Sequence, residues 1–115
     1  GKKRIRNGRS SMIVDWDPKA TNGRENIADY IREKFGITRE RKFKQNVEHT
    51  IETICEYPNI GTIDPLFSDR TEVYRSVIID GLSKMVYFIK EDTIYIAAFW
   101  DCRQEPETEA AETTR

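Results

Sequence analysis

Three apolar runs fill the last third of the chain, and only turn-length segments separate them. The runs cover residues 73–80, 84–90 and 93–100, with residues 81–83 and 91–92 between them. Spacers of two or three residues leave room for hairpin turns and for no longer element. The pattern therefore predicts a three-stranded antiparallel meander.

Before the meander, apolar residues recur at the spacing of amphipathic helices. Asp17 and Pro18 supply an N-cap and a favourable first helical residue, and Gly36 supplies a C-terminal stop. The apolar stripe between these positions consists of Ala20, Ile27, Ile31 and Phe35. The dipeptide Asn22-Gly23 weakens the first turns, so we expect an irregular start to this helix.

A second helix is predicted after Thr38, which can cap it, and it ends near Tyr57 because Pro58 cannot continue a helix. Its apolar stripe consists of Phe43, Val47, Ile51 and Ile54. A short β-prone run over residues 12–16 precedes the first helix, and the broken segment over residues 59–72 is predicted to be a crossing loop. The order strand, helix, helix and three-strand meander predicts an α+β fold in which a helical hairpin packs on a small antiparallel sheet.

The predicted meander is apolar on both of its faces. In its second strand one face carries Met85, Tyr87 and Ile89, and the other carries Val86 and Phe88. In the last strand the alternation sets Ile94, Ile96, Ala98 and Trp100 against Tyr95, Ala97 and Phe99. Two helices cover one face only, so the second face either pairs its aromatic side chains at the surface or is covered by another protein.

Charge is concentrated at the two ends of the chain, although the net charge is only -1. Residues 1–11 contain basic residues and no acidic residue, whereas residues 105–115 contain four glutamates and one arginine. Both segments are poor in large apolar side chains, so we expect a disordered basic arm or cloning remnant and a disordered acidic tail. Residues 12–104 then form a single domain, which suits a chain of 115 residues.

Several classes of protein and site are disfavoured by the sequence. No apolar run reaches the roughly 20 residues of a membrane helix, and no apolar block follows the basic start as in a secretory signal. Cys55 and Cys102 have neither a metal-ligand spacing nor a disulfide pattern. His49, Asp15 and Asp17 are better explained as surface or capping residues than as catalytic groups. We therefore expect a cytoplasmic protein that uses no metal or cofactor.

A set of residues spread along the chain has a familiar order and spacing. The set comprises Trp16, Ala20, Tyr30, Ile31, Gly36, the run Tyr57-Pro58-Asn59-Ile60-Gly61, Arg75, Tyr87 and the closing run Arg103-Gln104-Glu105-Pro106. In this arrangement, over about residues 12–106, the chain resembles the RelE/ParE superfamily of toxins from type II toxin-antitoxin modules, and is closer to its ParE-like members. The resemblance implies a small toxin that a cognate antitoxin neutralises by wrapping around it, and such a partner would cover the second apolar face.

Members of this superfamily act in two ways. RelE-like toxins cut messenger RNA on the ribosome, which requires a proton-transfer group beside cations that stabilise the phosphate. Arg75 and Arg103 can stabilise such charge, but arginine stays protonated and is a poor general base. Residues 62–72 hold one cation against three acids, and neither tyrosine nor histidine follows Trp100.

The sequence therefore favours the second mode, in which ParE-like toxins bind and poison DNA gyrase. No catalytic residue is assigned with this interpretation, and we predict that Arg75, Tyr87, Trp100 and Arg103 contact the target or the antitoxin. One alternative is a ribosome-dependent messenger RNA endonuclease with Arg75 and Arg103 as its candidate catalytic residues. The other is an inactive interaction module with the toxin fold.

Overall fold

A six-stranded sheet and a helical hairpin build the fold in the computed structural model, which describes residues 1–102. The elements, in chain order, are β1 (Lys2–Asn7), β2 (Ser10–Trp16), α1 (Pro18–Phe35), α2 (Ile37–Glu56), β3 (Thr62–Ile63), a 3-10 turn (Pro65–Phe67), β4 (Arg75–Ile79), β5 (Ser83–Lys90) and β6 (Thr93–Asp101). The strands lie in the order β1-β2-β6-β5-β4-β3. The predicted α+β fold is confirmed, and so is the meander, formed by β4, β5 and β6.

One strand pair departs from the predicted antiparallel sheet. Strand β2 pairs with β6 in parallel, and every other neighbouring pair is antiparallel. Parallel strands need a long crossover, and here the helical hairpin lies between the two strands in sequence. The pairing brings the start of α1 close to the middle of β6, where the amide of Asp17 donates to the carbonyl of Ile96 at 2.9 Å.

The helices follow the predicted stripes, with two differences at their starts. The Asp17 carboxylate accepts a hydrogen bond from the amide of Lys19 at 2.8 Å, as an N-cap does. Helix α1 is nevertheless regular through Asn22 and Gly23, so the predicted irregular start is wrong. Helix α2 begins at Ile37, immediately after Gly36, instead of being capped by Thr38.

Residues 1–11 differ most from expectation, because Lys2–Asn7 forms a strand instead of a disordered arm. Strand β1 pairs with β2 in a hairpin turned at Gly8, whose φ of 61° suits the first position of a two-residue turn. Ile5 joins the core, and the Asn7 amide donates to the carbonyl of Glu52 on α2 at 2.8 Å. Pairing with an existing edge strand stabilises a segment that has only one large apolar side chain to bury.

The helical hairpin packs on one face of the sheet and encloses the larger core. Its sheet residues include Met12, Val14, Met85, Tyr87, Ile94, Ile96 and Phe99. A β-bulge shifts the register of the β5–β6 pair between Val86 and Tyr87, so that Val86 pairs with Ala98 and Tyr87 pairs with Ile96. The extra residue, Ala97, reverses the alternation beyond it. Phe99 therefore packs in the helix-side core and Trp100 lies on the other face, opposite to their predicted sides.

The other face, called here the open face, has a smaller core of its own. That core contains Phe67, Tyr74, Val86, Ala97 and Ala98, with Leu66, Phe88 and Trp100 packed against it. Phe67 comes from the crossing segment, which is predicted to lack regular structure but contains β3 and the 3-10 turn, and Tyr74 immediately precedes β4. The chain thus covers part of its second face itself. Among residues 1–102, no helix has the length and apolarity that crossing a membrane requires.

Candidate functional site

Arg75 and Tyr87 meet at Gly61, on the helix side of the sheet. The Arg75 guanidinium donates to the carbonyls of Gly61 at 2.9 Å and of Asn59 at 3.3 Å. The Tyr87 hydroxyl accepts from the amide of Gly61 and donates to the carbonyl of Pro58, both at 2.9 Å. Strand pairing sets Arg75 opposite Tyr87, so the two side chains converge on the turn that follows α2.

These contacts give Arg75 and Tyr87 structural roles. Tyr87 is completely buried, and burial raises the pKa of its hydroxyl above the ordinary value. Tyr87, which is predicted to contact the target or the antitoxin, has no exposed surface in this fold. Arg75 is only partly buried, but its guanidinium is held by two main-chain carbonyls.

Trp100 lies on the open face, away from that pair. Its ring stacks on Phe67 with the centroids 6.4 Å apart, and the side chain is half-buried. The structure therefore brings Arg75 and Tyr87 together and leaves Trp100 on the opposite side of the sheet. The fourth predicted contact residue, Arg103, lies outside the described residues.

A row of aromatic rings crosses the open face and begins at Trp100. Each ring contacts the next, in the order Trp100, Phe67, Tyr74, Phe88 and Tyr95, with successive centroids 6.4, 5.0, 4.9 and 4.9 Å apart. We call this set the aromatic row. Because Phe67 reaches the row from the crossing loop and Tyr74 from the residue before β4, helical or strand periodicity does not reveal it. The aromatic alternation of β5 and β6 is the only part visible in the sequence.

An ion pair holds the crossing loop against the open face. The Lys84 ammonium lies 2.9 Å from the Asp64 carboxylate, which is almost fully buried. The same carboxylate accepts from the amide of Leu66 at 3.0 Å and caps the 3-10 turn. One of the three acids that distinguish this loop is therefore neutralised within the fold.

Next to the far end of the aromatic row is a groove of about 480 Å³. Its walls are Asp15, Trp16, Asp17, Pro18, Tyr74, Phe88, Tyr95, Ile96 and Ala97. Asp15 pairs with Tyr95 across the β2–β6 boundary, and Asp17 caps α1. We call this the aromatic groove, and its polar wall is acidic. The sequence predicts Asp15 as a surface acid and Asp17 as a helix cap, and it does not reveal the groove because Tyr74, Phe88 and Tyr95 are distant from both aspartates in sequence.

A basic cluster surrounds the tip of the helical hairpin, and it consists of Arg32, Lys34, Arg39, Arg41, Lys42 and Lys44. Part of this positive charge is neutralised by ion pairs within the hairpin. The buried Glu40 carboxylate lies 3.3 Å from both Arg32 and Lys44. Arg39 lies over the Phe35 ring at 5.3 Å. His49 is exposed, and no group of three or more potential metal ligands occurs within residues 1–102.

The comparison with known families identifies the relatives of this chain. The sequence model described as "ParE toxin of type II toxin-antitoxin system, parDE" matches residues 14–106. The chain belongs to the ParE toxin family. The match excludes most of the β1–β2 hairpin, whereas it includes both helices and the meander.

Solved structures agree with this assignment at the level of the fold. The chain is similar to a protein of the chromosomal ParDE TA system from P. aeruginosa, with 18% sequence identity and a TM-score of 0.60. The alignment covers 76% of this chain and 92% of the other. No curated protein matches the sequence significantly. The predicted resemblance to the RelE/ParE superfamily, on its ParE-like side, is confirmed.

The residues that carried the resemblance have a shared structural explanation. The run from Pro58 to Gly61 is the turn held by Arg75 and Tyr87, so these separate parts of the pattern form one cluster. An alanine at position 61 would place its Cβ 2.8 Å from the Tyr87 hydroxyl, so glycine is required there. This part of the ParE-type pattern therefore stabilises the fold.

Proposed function

We propose that this chain is the toxin of a type II toxin-antitoxin module and inhibits growth by binding a cellular target, DNA gyrase, in the cytoplasm. A cognate antitoxin neutralises it. The observation that carries the choice of binding over catalysis is the position of Arg75. Its guanidinium donates to the carbonyls of Asn59 and Gly61, and Tyr87 beside it is buried.

Cleavage of RNA would need a cation free to bind phosphate and a nearby group able to transfer a proton. Moving Arg75 toward a phosphate would break two hydrogen bonds that hold the turn after α2. The raised pKa of Tyr87 keeps its hydroxyl protonated, and that proton is directed at the carbonyl of Pro58. Neither residue is thus available for cleavage chemistry in this fold.

Charge on the open face also favours a protein target over an RNA backbone. The aromatic groove carries the carboxylates of Asp15 and Asp17, and neither lysine nor arginine is among its walls. Phosphates bind to proteins mainly through lysine and arginine. Aromatic side chains on a partly covered sheet are instead typical of protein interfaces.

The decisive experiment is induced expression of the chain alone in a bacterium, with growth followed over time. Two assays with the purified protein then separate the activities: gyrase supercoiling, and cleavage of ribosome-bound message. We expect growth arrest, inhibited supercoiling and intact message. Cleaved message with unaffected supercoiling would identify an endonuclease, and normal growth would identify an inert module.

Coexpression tests the antitoxin. The gene beside this one should encode a protein that restores growth and copurifies with the chain. Failure of every neighbouring reading frame to restore growth would contradict a two-component module.

Variants test the predicted contact residues in the same growth assay. We expect Arg103→Ala to abolish toxicity while the protein remains folded by circular dichroism, and Arg115→Ala is the matched control because it removes the same charge. Full toxicity of Arg103→Ala would remove that residue from the site. Trp100→Ala should weaken target binding, whereas Tyr87 variants should act through stability alone.

A further inference from the structure

The aromatic groove combines two features that together select a cation. Phe88 and Tyr95 form a stacked pair with an interplanar angle of 14°, and Tyr74 extends the aromatic wall. Asp15 and Asp17 supply carboxylates, while neither lysine nor arginine is among the groove's walls. Aromatic faces attract cations, and carboxylates bind guanidinium groups through paired hydrogen bonds.

Asp15 is the side chain with capacity left to bind. It is half-buried, and within residues 1–102 it forms neither an ion pair nor a hydrogen bond through its carboxylate. Its cross-strand partner Tyr95 belongs to the stacked pair. A cation bound by Asp15 would therefore also lie close to an aromatic surface.

The same corner of the fold already accommodates one guanidinium. Arg24 lies over the Trp16 ring with its central carbon 4.4 Å from the ring centroid, and it pairs with Glu25 at 3.3 Å. Arg24 is not among the groove's walls. The groove repeats this combination of an aromatic ring and a carboxylate, without the cation.

We propose that the aromatic groove binds an arginine side chain presented by the antitoxin. The guanidinium lies against the Phe88 and Tyr95 rings and pairs with Asp15, and apolar neighbours of that arginine cover the rest of the aromatic row. The choice of the antitoxin as the protein that supplies this arginine rests on the proposed function. An acidic or phosphorylated segment would be repelled by the two aspartates.

The groove can be tested without the antitoxin. Nuclear magnetic resonance titrations of the ¹⁵N-labelled full chain would use three blocked amino acids: N-acetyl-arginine amide, N-acetyl-norleucine amide and N-acetyl-glutamate amide. We expect arginine to shift the amides of Asp15 and Tyr95 and the Trp16 indole, and to bind at least about threefold more tightly than norleucine. Added salt should reduce this preference.

Matched variants test whether the preference for arginine over norleucine arises in the groove. Asp15→Asn removes the charge with little change of shape, and Glu48→Gln makes the same change on the exposed side of α2. Asp15→Asn should remove the preference for arginine over norleucine, and Glu48→Gln should retain it. Tyr95→Leu, which keeps the site apolar, should weaken arginine binding. Equal binding of arginine and norleucine, no shifts in the groove, or an unchanged preference in Asp15→Asn would overturn the proposal.

The second part of the experiment uses the antitoxin itself, which is the neighbouring gene product that restores growth. Asp15→Asn should weaken its complex with the chain about threefold or more relative to Glu48→Gln. Each arginine of the antitoxin is replaced in turn by methionine, which has a similar shape to norleucine and no charge. One of these replacements should weaken the complex with the wild-type chain but not the complex with Asp15→Asn. If arginine amide binds the groove and no antitoxin variant shows this coupling, the antitoxin is the wrong source. If no antitoxin exists, the proposed function is wrong. The amino-acid titrations still show in that case whether the groove binds arginine in preference to norleucine.

Discussion

At the scale of single residues, Tyr87 shows how a polar atom organises this fold. Its hydroxyl is the only described partner of the Gly61 amide, and it also donates to Pro58. Buried donors and acceptors need partners because water cannot reach them. One side chain of the meander thus fixes the turn that connects the helical layer to β3.

Replacing Tyr87 by Phe should destabilise the protein by about 1–3 kcal/mol, because the buried Gly61 amide loses its acceptor. Urea denaturation followed by circular dichroism measures this change. Tyr95→Phe is the control, since Tyr95 is half-buried on the open face and has no hydroxyl partner among the described residues. Equal losses in the two variants would contradict the role given to the Tyr87 hydroxyl.

Tyr87 should also make the free energy of unfolding depend on pH in the alkaline range. Burial raises the pKa of Tyr87 above its ordinary value of 10.0, so the folded protein keeps a proton that the unfolded chain releases. This contribution to stability is complete below pH 10.0 and is lost as the pH rises through the folded-state pKa. Tyr87→Phe should therefore lose less stability above pH 10.0 than the wild type does. Parallel urea midpoints for the two proteins across that range would refute the prediction.

At the scale of elements, close approach of a helix to a strand explains why a poor helix former is used early in α1. A Cβ atom at Gly23 would overlap the main-chain carbonyl oxygen of Phe99. The glycine therefore allows α1 to lie directly against β6, beyond the bulge that turns Phe99 toward the helices. Packing against the sheet outweighs the low helix propensity of glycine.

Gly23→Ala should destabilise the protein by about 1–3 kcal/mol although alanine favours helices, because α1 must move away from β6. Asn22→Ala, at the exposed neighbouring position, is the matched control and should stabilise the protein by about 0.5 kcal/mol. Thermal or urea unfolding distinguishes the two effects. A gain in stability for Gly23→Ala would show that α1 and β6 can move apart enough to accept the added methyl group at little cost in free energy.

At the scale of the whole molecule, the sheet separates two cores that the chain completes in different ways. The helical hairpin closes the helix-side core, and β1 extends it with Ile5. On the open face a short loop, held by Asp64 and Lys84, covers only part of the aromatic surface. The aromatic groove lies in the uncovered remainder, so this part of the open face is accessible from solvent.

Strand β1 should protect the thiol of Cys55. Cys55 is buried, its thiol donates to the carbonyl of Ile5 at 3.6 Å, and burial raises its pKa. In a Cys102→Ser background, a thiol reagent should modify Cys55 slowly at neutral pH, and Ile5→Ala should accelerate the reaction at least about tenfold because loss of Ile5 weakens the packing of β1. Ile13→Ala, at a half-buried position of β2, provides the comparison. Equal reaction rates in Ile5→Ala and its background would show that β1 does not protect the thiol.

Sequence alone was enough for β2, the approximate extent of both helices, the meander and the family, because these depend on local periodicity, on turn residues and on spacing along the chain, but it missed β1, β3 and the 3-10 turn. It did not place Trp100 and Phe99, since the bulge at Ala97 reverses their faces and depends on pairing with β5. Tertiary structure also decided that Tyr87 is buried. Both outcomes depend on atoms brought together from distant parts of the chain.

The N-terminal strand and the aromatic groove illustrate the same division. Gly8 at the first turn position favours the β1–β2 hairpin locally, but the strand is stable because β2 and α2 lie beside it. The groove joins Asp15 near one end of the chain to Tyr95 near the other, through a parallel pairing that no local pattern specifies. Local interactions set which elements form, and the free energy of packing them together decides which side chains remain at the surface to bind a partner.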